Sequence, residues 1–163
     1  MAGHPTLKKA LPMIHAQDTK FINVTPPAAI VDNASYTTAE IDTLGYDYAT
    51  IVVYIGATDI AMTALKVTQS DTAGSGHADI SGLTWGSDTN IDGSTSALPS
   101  ADDDNTFQVA QINLVGRKRY LDVTATAGNG SAGTFAAIFC ILSRGDEVAN
   151  TAASQGADEV LAV

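Results

Sequence analysis

The chain is short of basic residues, cysteine, aromatics and long apolar runs, and each shortage excludes something. Its 163 residues hold eight Lys and Arg against 18 Asp and Glu, a formal net charge of −10 with a pI near 4.3. Nucleic-acid-binding domains turn a basic patch toward the phosphates, so no nucleic-acid partner is expected. A single cysteine, Cys140, allows neither an intrachain disulfide nor a zinc site of CxxC spacing. It lies in the apolar run 135–142 and reads as a buried, inert thiol. No run reaches the roughly 20 apolar residues of a membrane-spanning helix, so no membrane partner is expected. Met1-Ala2-Gly3-His4-Pro5 lacks the continuous apolar core of a signal peptide, which implies a product of the cytoplasm not secreted by that route.

Catalytic patterns are missing too. The histidines His4, His15 and His77 form no HExxH or HxH pair. Asp102-Asp103-Asp104-Asn105 offers hard oxygen donors but not the spacing of an EF-hand, and reads as a solvated acidic loop. Asp59, Asp71 and Asp79 are loop carboxylates without a partner pattern. There is no GxSxG elbow, P-loop or Rossmann fingerprint. The expectation is a protein that is not an enzyme, with no catalytic residue, no cofactor and no metal site.

What the chain does have is β-strand patterning. Hydrophobic residues make up 45% of it and charged residues 16%, enough apolar material for a core. With aromatics at 6%, that share leans on Ala, Val and Ile, which suit thin sheets. Phe21–Thr25 reads as a first strand stopped by Pro26-Pro27. Residues 37–42 fit either a short capped helical turn or a strand. Ala49–Gly56 and Phe135–Leu142 are apolar at successive positions, which predicts central strands, the first covered on both sides. Residues 62–69 alternate, with Leu65, Val67 and Gln69 on one side. Residues 77–105, rich in Asp, Ser, Thr, Gly and Asn, read as a long irregular excursion. In 106–115, Phe107 and Val109 share one parity while Ile112 and Leu114 share the other, which predicts a β-bulge near Ala110-Gln111. Gly116-Arg117-Lys118 reads as a hairpin turn. Residues 120–126 then alternate, with Leu121, Val123 and Ala125 inward, before the turn 128–133.

Short strands joined by Gly, Asn, Asp and Ser turns predict an all-β fold, an antiparallel β-sandwich of jelly-roll-like form. Residues 1–20 are an N-terminal arm broken by Pro5 and Pro12, 21–144 the β-sandwich domain, and 145–163 an acidic, Ala-rich C-terminal tail, mobile or laid on a neighbour. Three groups are candidate contacts. Arg117, Lys118 and Arg119 concentrate positive charge in one turn, to grip an acidic surface or stay solvated. Trp85 is the sole tryptophan, set among polar residues. Leu11, Met13 and Ile14 of the arm could bury on a neighbouring subunit.

Asp103-Asp104-Asn105-Thr106, Val115-Gly116-Arg117-Lys118-Arg119-Tyr120-Leu121, the final small-residue strand 133–142 and the Gly45-Tyr46 approach to 49–53 together resemble a family of small virion proteins of tailed bacteriophages. The resemblance covers roughly residues 30–144 and lies in pattern more than in invariant chemistry. It implies a non-catalytic virion structural protein that binds the outer surface of a capsid and stabilises it, a decoration or cement protein. Its partners would be the major capsid protein and copies of itself, as in a homotrimer. Its place would be the capsid exterior of the virion, after synthesis in the host cytoplasm. The alternatives are a neck or tail component of the virion and a carbohydrate-binding β-sandwich using Trp85 as a sugar platform.

Overall fold

In a computed structural model, the structure describes residues 16–28, 30–146 and 151–161. Eight strands run β1 (Lys20–Thr25), β2 (Ile41–Asp42), β3 (Tyr46–Thr58), β4 (Ala64–Ser70), β5 (Ala78–Thr84), β6 (Phe107–Asn113), β7 (Tyr120–Thr126) and β8 (Thr134–Gly145). They form two four-stranded antiparallel sheets, ordered β1-β8-β3-β6 and β2-β7-β4-β5. The pairing is nested. β1 meets β8, β2 meets β7, β3 meets β6 and β4 meets β5, while the β8–β3 and β7–β4 pairings complete the sheets. The fold is therefore all-β and sandwich-like.

Alternation builds the core. One face of the first sheet contributes Ala49, Ile51, Val53, Ile55, Ala110, Ile112, Ile138, Cys140 and Leu142; the second sheet contributes Ile41, Leu65, Val67, Ile80, Leu121, Val123 and Ala125. These residues form one buried cluster, and each fully buried Leu, Ile or Val is worth roughly 1.5–3 kcal/mol over its exposed state. A polar seam closes one end. Tyr36 Oη donates to the Thr134 carbonyl at 2.5 Å, and the Thr134 and Thr58 hydroxyls are 2.7 Å apart. Burial pushes the Tyr36 phenol up to about 12.

Several expectations are corrected. Of successive strands among the described residues, only β4 and β5 are hydrogen-bonded neighbours. The Gly116-Arg117-Lys118 segment is therefore no hairpin: it carries the chain from β6 in one sheet to β7 in the other. Turn residues encode a reversal, and packing decides where the chain lands. Residues 77–105 are not irregular throughout, since β5 lies within them and pairs with β4. Residues 37–42 end in the short strand β2, with no helical turn.

The predicted bulge in β6 is also absent. Its pairing with β3 runs without a shift from Tyr48↔Asn113 to Tyr54↔Phe107. The parity conflict is resolved differently: Ala110 and Ile112 point inward while Phe107 and Val109 stay outside, 61% and 46% exposed. That outer face continues across the sheet. Phe21, Ile141, Thr50 and Gln111 form one cross-strand row, and Asn23, Phe139, Val52 and Val109 the next. Ala137, Tyr54 and Phe107 follow on one side, and Ser143, Tyr48 and Asn113 on the other. β3 and β8 are central, as expected, but among the described residues nothing covers Phe21, Tyr48, Tyr54 and Phe139, which are all exposed. The expected cover on both sides of β3 is thus corrected to cover on one.

The C-terminal segment folds back onto the domain edge. The buried Gln155 side chain donates its Nε2–H to the Ala16 carbonyl at 2.9 Å. Gly156, at φ +73°, lies so close to β1 that a Cβ there would run into the Phe21 carbonyl. This packing shields part of an edge strand that would otherwise offer free backbone groups.

Candidate functional site

The basic turn comes first. Arg119 leaves the turn just before β7, whose partner β2 carries Asp42. Its Nε and Nη2 donate to Asp42 Oδ1 and Oδ2 at 2.8 and 2.7 Å, a bidentate pair. Those hydrogen bonds hold the Asp42 carboxyl below its ordinary range and raise Arg119 above its own. The guanidinium also sits 4.9 Å from the Tyr120 ring centroid. Lys118 reaches Asp71 at 3.6 Å, and its backbone N–H donates to Gln69 Oε1. Two of the three cations are thus engaged within the chain. Arg117 is exposed and has no ion pair among the described residues. Asp122, on the neighbouring strand β7, accepts from the Thr38 hydroxyl and the Val123 N–H.

Trp85 follows β5 directly and is half-buried, its backbone N–H donating to the Leu65 carbonyl at 3.0 Å. It lines a cleft of about 390 Å³ on the flank where β5 and β6 face each other from opposite sheets. Asp88, Asn90 and Ser96 supply polar groups there, with Leu83, Val109 and Gln111 from the flanking strands. The loop is internally tied: Asp88 Oδ2 accepts from Thr84 N–H at 2.7 Å, and Asn90 N–H donates to the Ser94 carbonyl. An aromatic wall with several hydrogen-bonding side chains suits a small polar ligand. Leu11, Met13 and Ile14 lie outside the described residues.

The acidic loop is structural. Asp103 Oδ2 accepts from the Ser100 N–H and hydroxyl at 2.8 and 3.0 Å across a 3-10 turn. Asp104 Oδ1 accepts from Thr58 N–H at 2.7 Å, fastening the loop to the end of β3. Asp59 does the same for the turn before β8, gathering the backbone N–H groups of Ser131, Ala132 and Gly133. Those bonds lower its carboxyl below the ordinary aspartate range. His77 Nε2 meets Glu40 Oε2 at 2.8 Å, and the same oxygen accepts from Gly74 N–H. No group of three or more His, Cys, Asp or Glu that could hold a metal ion occurs among the described residues. Cys140 is fully buried, and burial pushes its thiol up to about 12.

The outer face of β1-β8-β3-β6 was not among the candidate residues. Its signal was present in the mixed parity of 107–115 and the double-sided apolarity of β3 and β8. No family model, curated protein or solved structure matches this chain.

Proposed function

We propose that the chain is a non-catalytic structural protein of a bacteriophage virion, which binds the outer surface of the capsid and stabilises it. The observation that carries the reading is the nested strand order. Partners that pair first with last, second with seventh, and so inward are what a long β-hairpin produces when it rolls up into two sheets, and we infer a jelly roll from it. Jelly rolls recur in viral capsid proteins and in lectins. A fold hosts many functions, so this support is analogy; the resemblance of residues 30–144 to small phage virion proteins favours the capsid. The exposed Arg117 and the solvent-facing loops are the available contacts for a shell surface. The test is to add purified protein to shells that lack it. Saturable binding and a higher shell-disruption temperature are expected, and no binding at near-native salt overturns the proposal. Copy number per particle separates the head lattice from a neck or tail ring.

The cleft beside Trp85 favours one second reading, a carbohydrate-binding β-sandwich. Its aromatic wall would stack on a sugar face while Asp88, Asn90 and Gln111 bond hydroxyls. Glycan-array binding abolished by Trp85→Ala supports it, and an array blank for the wild type removes it.

A further inference from the structure

We propose that the cleft beside Trp85 is a binding site for an organic cation, a guanidinium or ammonium group held by the indole and the Asp88 carboxylate. The group is the same whether a small molecule carries it or a protein surface presents it on Arg or Lys. Neither reading above calls for it. A sugar would use the neutral hydrogen-bonding groups of the cleft, and shell contact falls to Arg117 and the solvent-facing loops.

Charge identifies the ligand. Among the described residues that line the cleft, Asp88 is the sole charged side chain, with no Lys, Arg or His. Asp42, Asp79 and Asp71 have cations of their own at 2.7, 2.7 and 3.6 Å. Asp88 is half-buried and has no ion pair among the described residues. Its Oδ2 accepts from the Thr84 N–H at 2.7 Å, and its Oδ1 accepts from nothing among them. A carboxylate drawn partly out of water without a counter-charge is costly, and a bound cation offsets that cost. An anion is disfavoured twice, by Asp88 itself and by the net charge of −10, which also draws cations toward the surface.

The walls match the same chemistry. Indole is the best aromatic partner for a cation, which it attracts from within about 6 Å of the ring. Asn90 donates its amide to Ser94 Oγ at 3.1 Å, so its Oδ1 remains an acceptor, and Gln111 brings a second amide oxygen from β6. A guanidinium or ammonium group only donates, which suits a carboxylate and two amide oxygens. Leu83 and Val109 offer apolar surface to the aliphatic stem that carries the charge.

The site is built before any ligand arrives. Asp88 N–H donates to the Thr84 carbonyl at 3.0 Å, the Asp88 carboxylate accepts back from Thr84 N–H, and the Asp88 carbonyl accepts from Ser96 N–H at 2.8 Å. Trp85, next to Thr84, is fixed by its backbone bond to Leu65. A preformed loop avoids the cost of ordering these groups on binding. The flanking strands β5 and β6 are both sheet edges, so the cleft opens on the side of the sandwich, where a ligand or a neighbour's side chain can enter. Its 390 Å³ lies near the lower end of small-ligand sites and suits one charged group with its stem. One charge and one ring give an isolated group an affinity of about 1 mM.

The test is an NMR titration of the full chain with Nα-acetyl-arginine methylamide at constant ionic strength, read at the Trp85 indole N–H and the backbone of residues 82–96. Saturable shifts confined to the cleft are expected, with the citrulline analogue, of the same shape but neutral, at least about tenfold weaker. Asp88→Asn keeps an oxygen for the Thr84 N–H but not the charge, and should weaken the arginine probe about tenfold. Gln111→Lys, at an exposed position of β6, puts a cation in the mouth and should abolish binding at unchanged thermal stability. No saturable shift, an equally strong citrulline analogue, or binding indifferent to both variants overturns the proposal. Methyl glucoside bound in preference to the arginine probe overturns it in favour of a sugar. Displacement of the chain from shells by the probe assigns the cation to a basic side chain of the shell; binding of the probe without displacement assigns it to a small molecule. A chain that takes the probe but ignores shells defeats the capsid reading and leaves the site standing, and one that binds shells but not the probe does the reverse.

Discussion

The two sheets share one core but present opposite outer faces. Outside β2-β7-β4-β5 lie Asp42, Tyr120, Asp122, Thr124, Lys66 and Asp79, polar groups that pair with one another or with neighbouring segments. Lys66 meets Asp79 at 2.7 Å, Arg119 grips Asp42, and Thr38 donates to Asp122. Outside β1-β8-β3-β6 lie Phe, Tyr, Val and Ile side chains among Asn23, Thr50, Gln111, Asn113 and Ser143, with no charge in the rows. The apolar-faced sheet is also the more fully paired: β3 runs in long ladders with both β8 and β6, whereas β2 pairs with β7 over two residues and the β4–β5 ladder is interrupted. The polar sheet is finished by solvent and its own ion pairs, and the apolar one has no such pairing across its rows.

The sharpest way to break this comparison is to strike the core that both sheets share. Leu142→Ala, on the inner side of β8 and fully buried, should cost about 2–5 kcal/mol in urea unfolding. An equally conservative truncation on the outer side of the same sheet should cost far less. Phe107→Ala removes an exposed ring and its contact with Tyr54, so the monomer should lose only about 1 kcal/mol. If it loses as much as Leu142→Ala, the outer face is part of the monomer's own core and the contrast fails.

Smaller still is the polar face. Arg119→Ala leaves Asp42 without its bidentate partner, but both side chains are nearly half exposed. The cost should be smaller than that of either truncation above, falling further in high salt. Carbon-detected NMR titration should then show the Asp42 carboxyl return toward its ordinary range.

The smallest effect concerns pH. Asp42 and Asp59 both have carboxyls lowered in the folded chain. Their ionised forms are favoured by folding, so the stability they add is complete above the unfolded aspartate value near 3.9. It disappears as the pH falls through their lower folded values. Unfolding midpoints should decline below about pH 4. Asp59→Asn should flatten part of that decline, because the turn at 131–133 loses a titrating acceptor. A midpoint independent of pH in that range would show that neither carboxylate contributes.

Residue by residue, the readable parts were those governed by local chemistry. Residues 120–126 alternate, and β7 has those bounds. Pro26-Pro27 stops β1 at Thr25. Cys140 in its apolar run is buried. The Arg117–Arg119 turn stood out as a charge cluster, yet nothing local pointed to Asp42, which lies 77 residues from Arg119 along the chain. The β6 pattern was misread for a physical reason. Treating every apolar residue as inward-facing forces a bulge between Val109 and Ile112, whereas a strand that leaves Phe107 and Val109 exposed needs none.

By itself the sequence determined most of the strands and the acidic, charge-poor character of the chain, because alternation and β-propensity act over a few neighbours. Only the tertiary structure decided the nested pairing, the passage of the Arg117–Arg119 turn between sheets and the gathering of Phe21, Tyr54, Phe107 and Phe139 on one face. Those depend on which strands lie side by side, and that is settled by burial and backbone pairing between segments far apart in the chain.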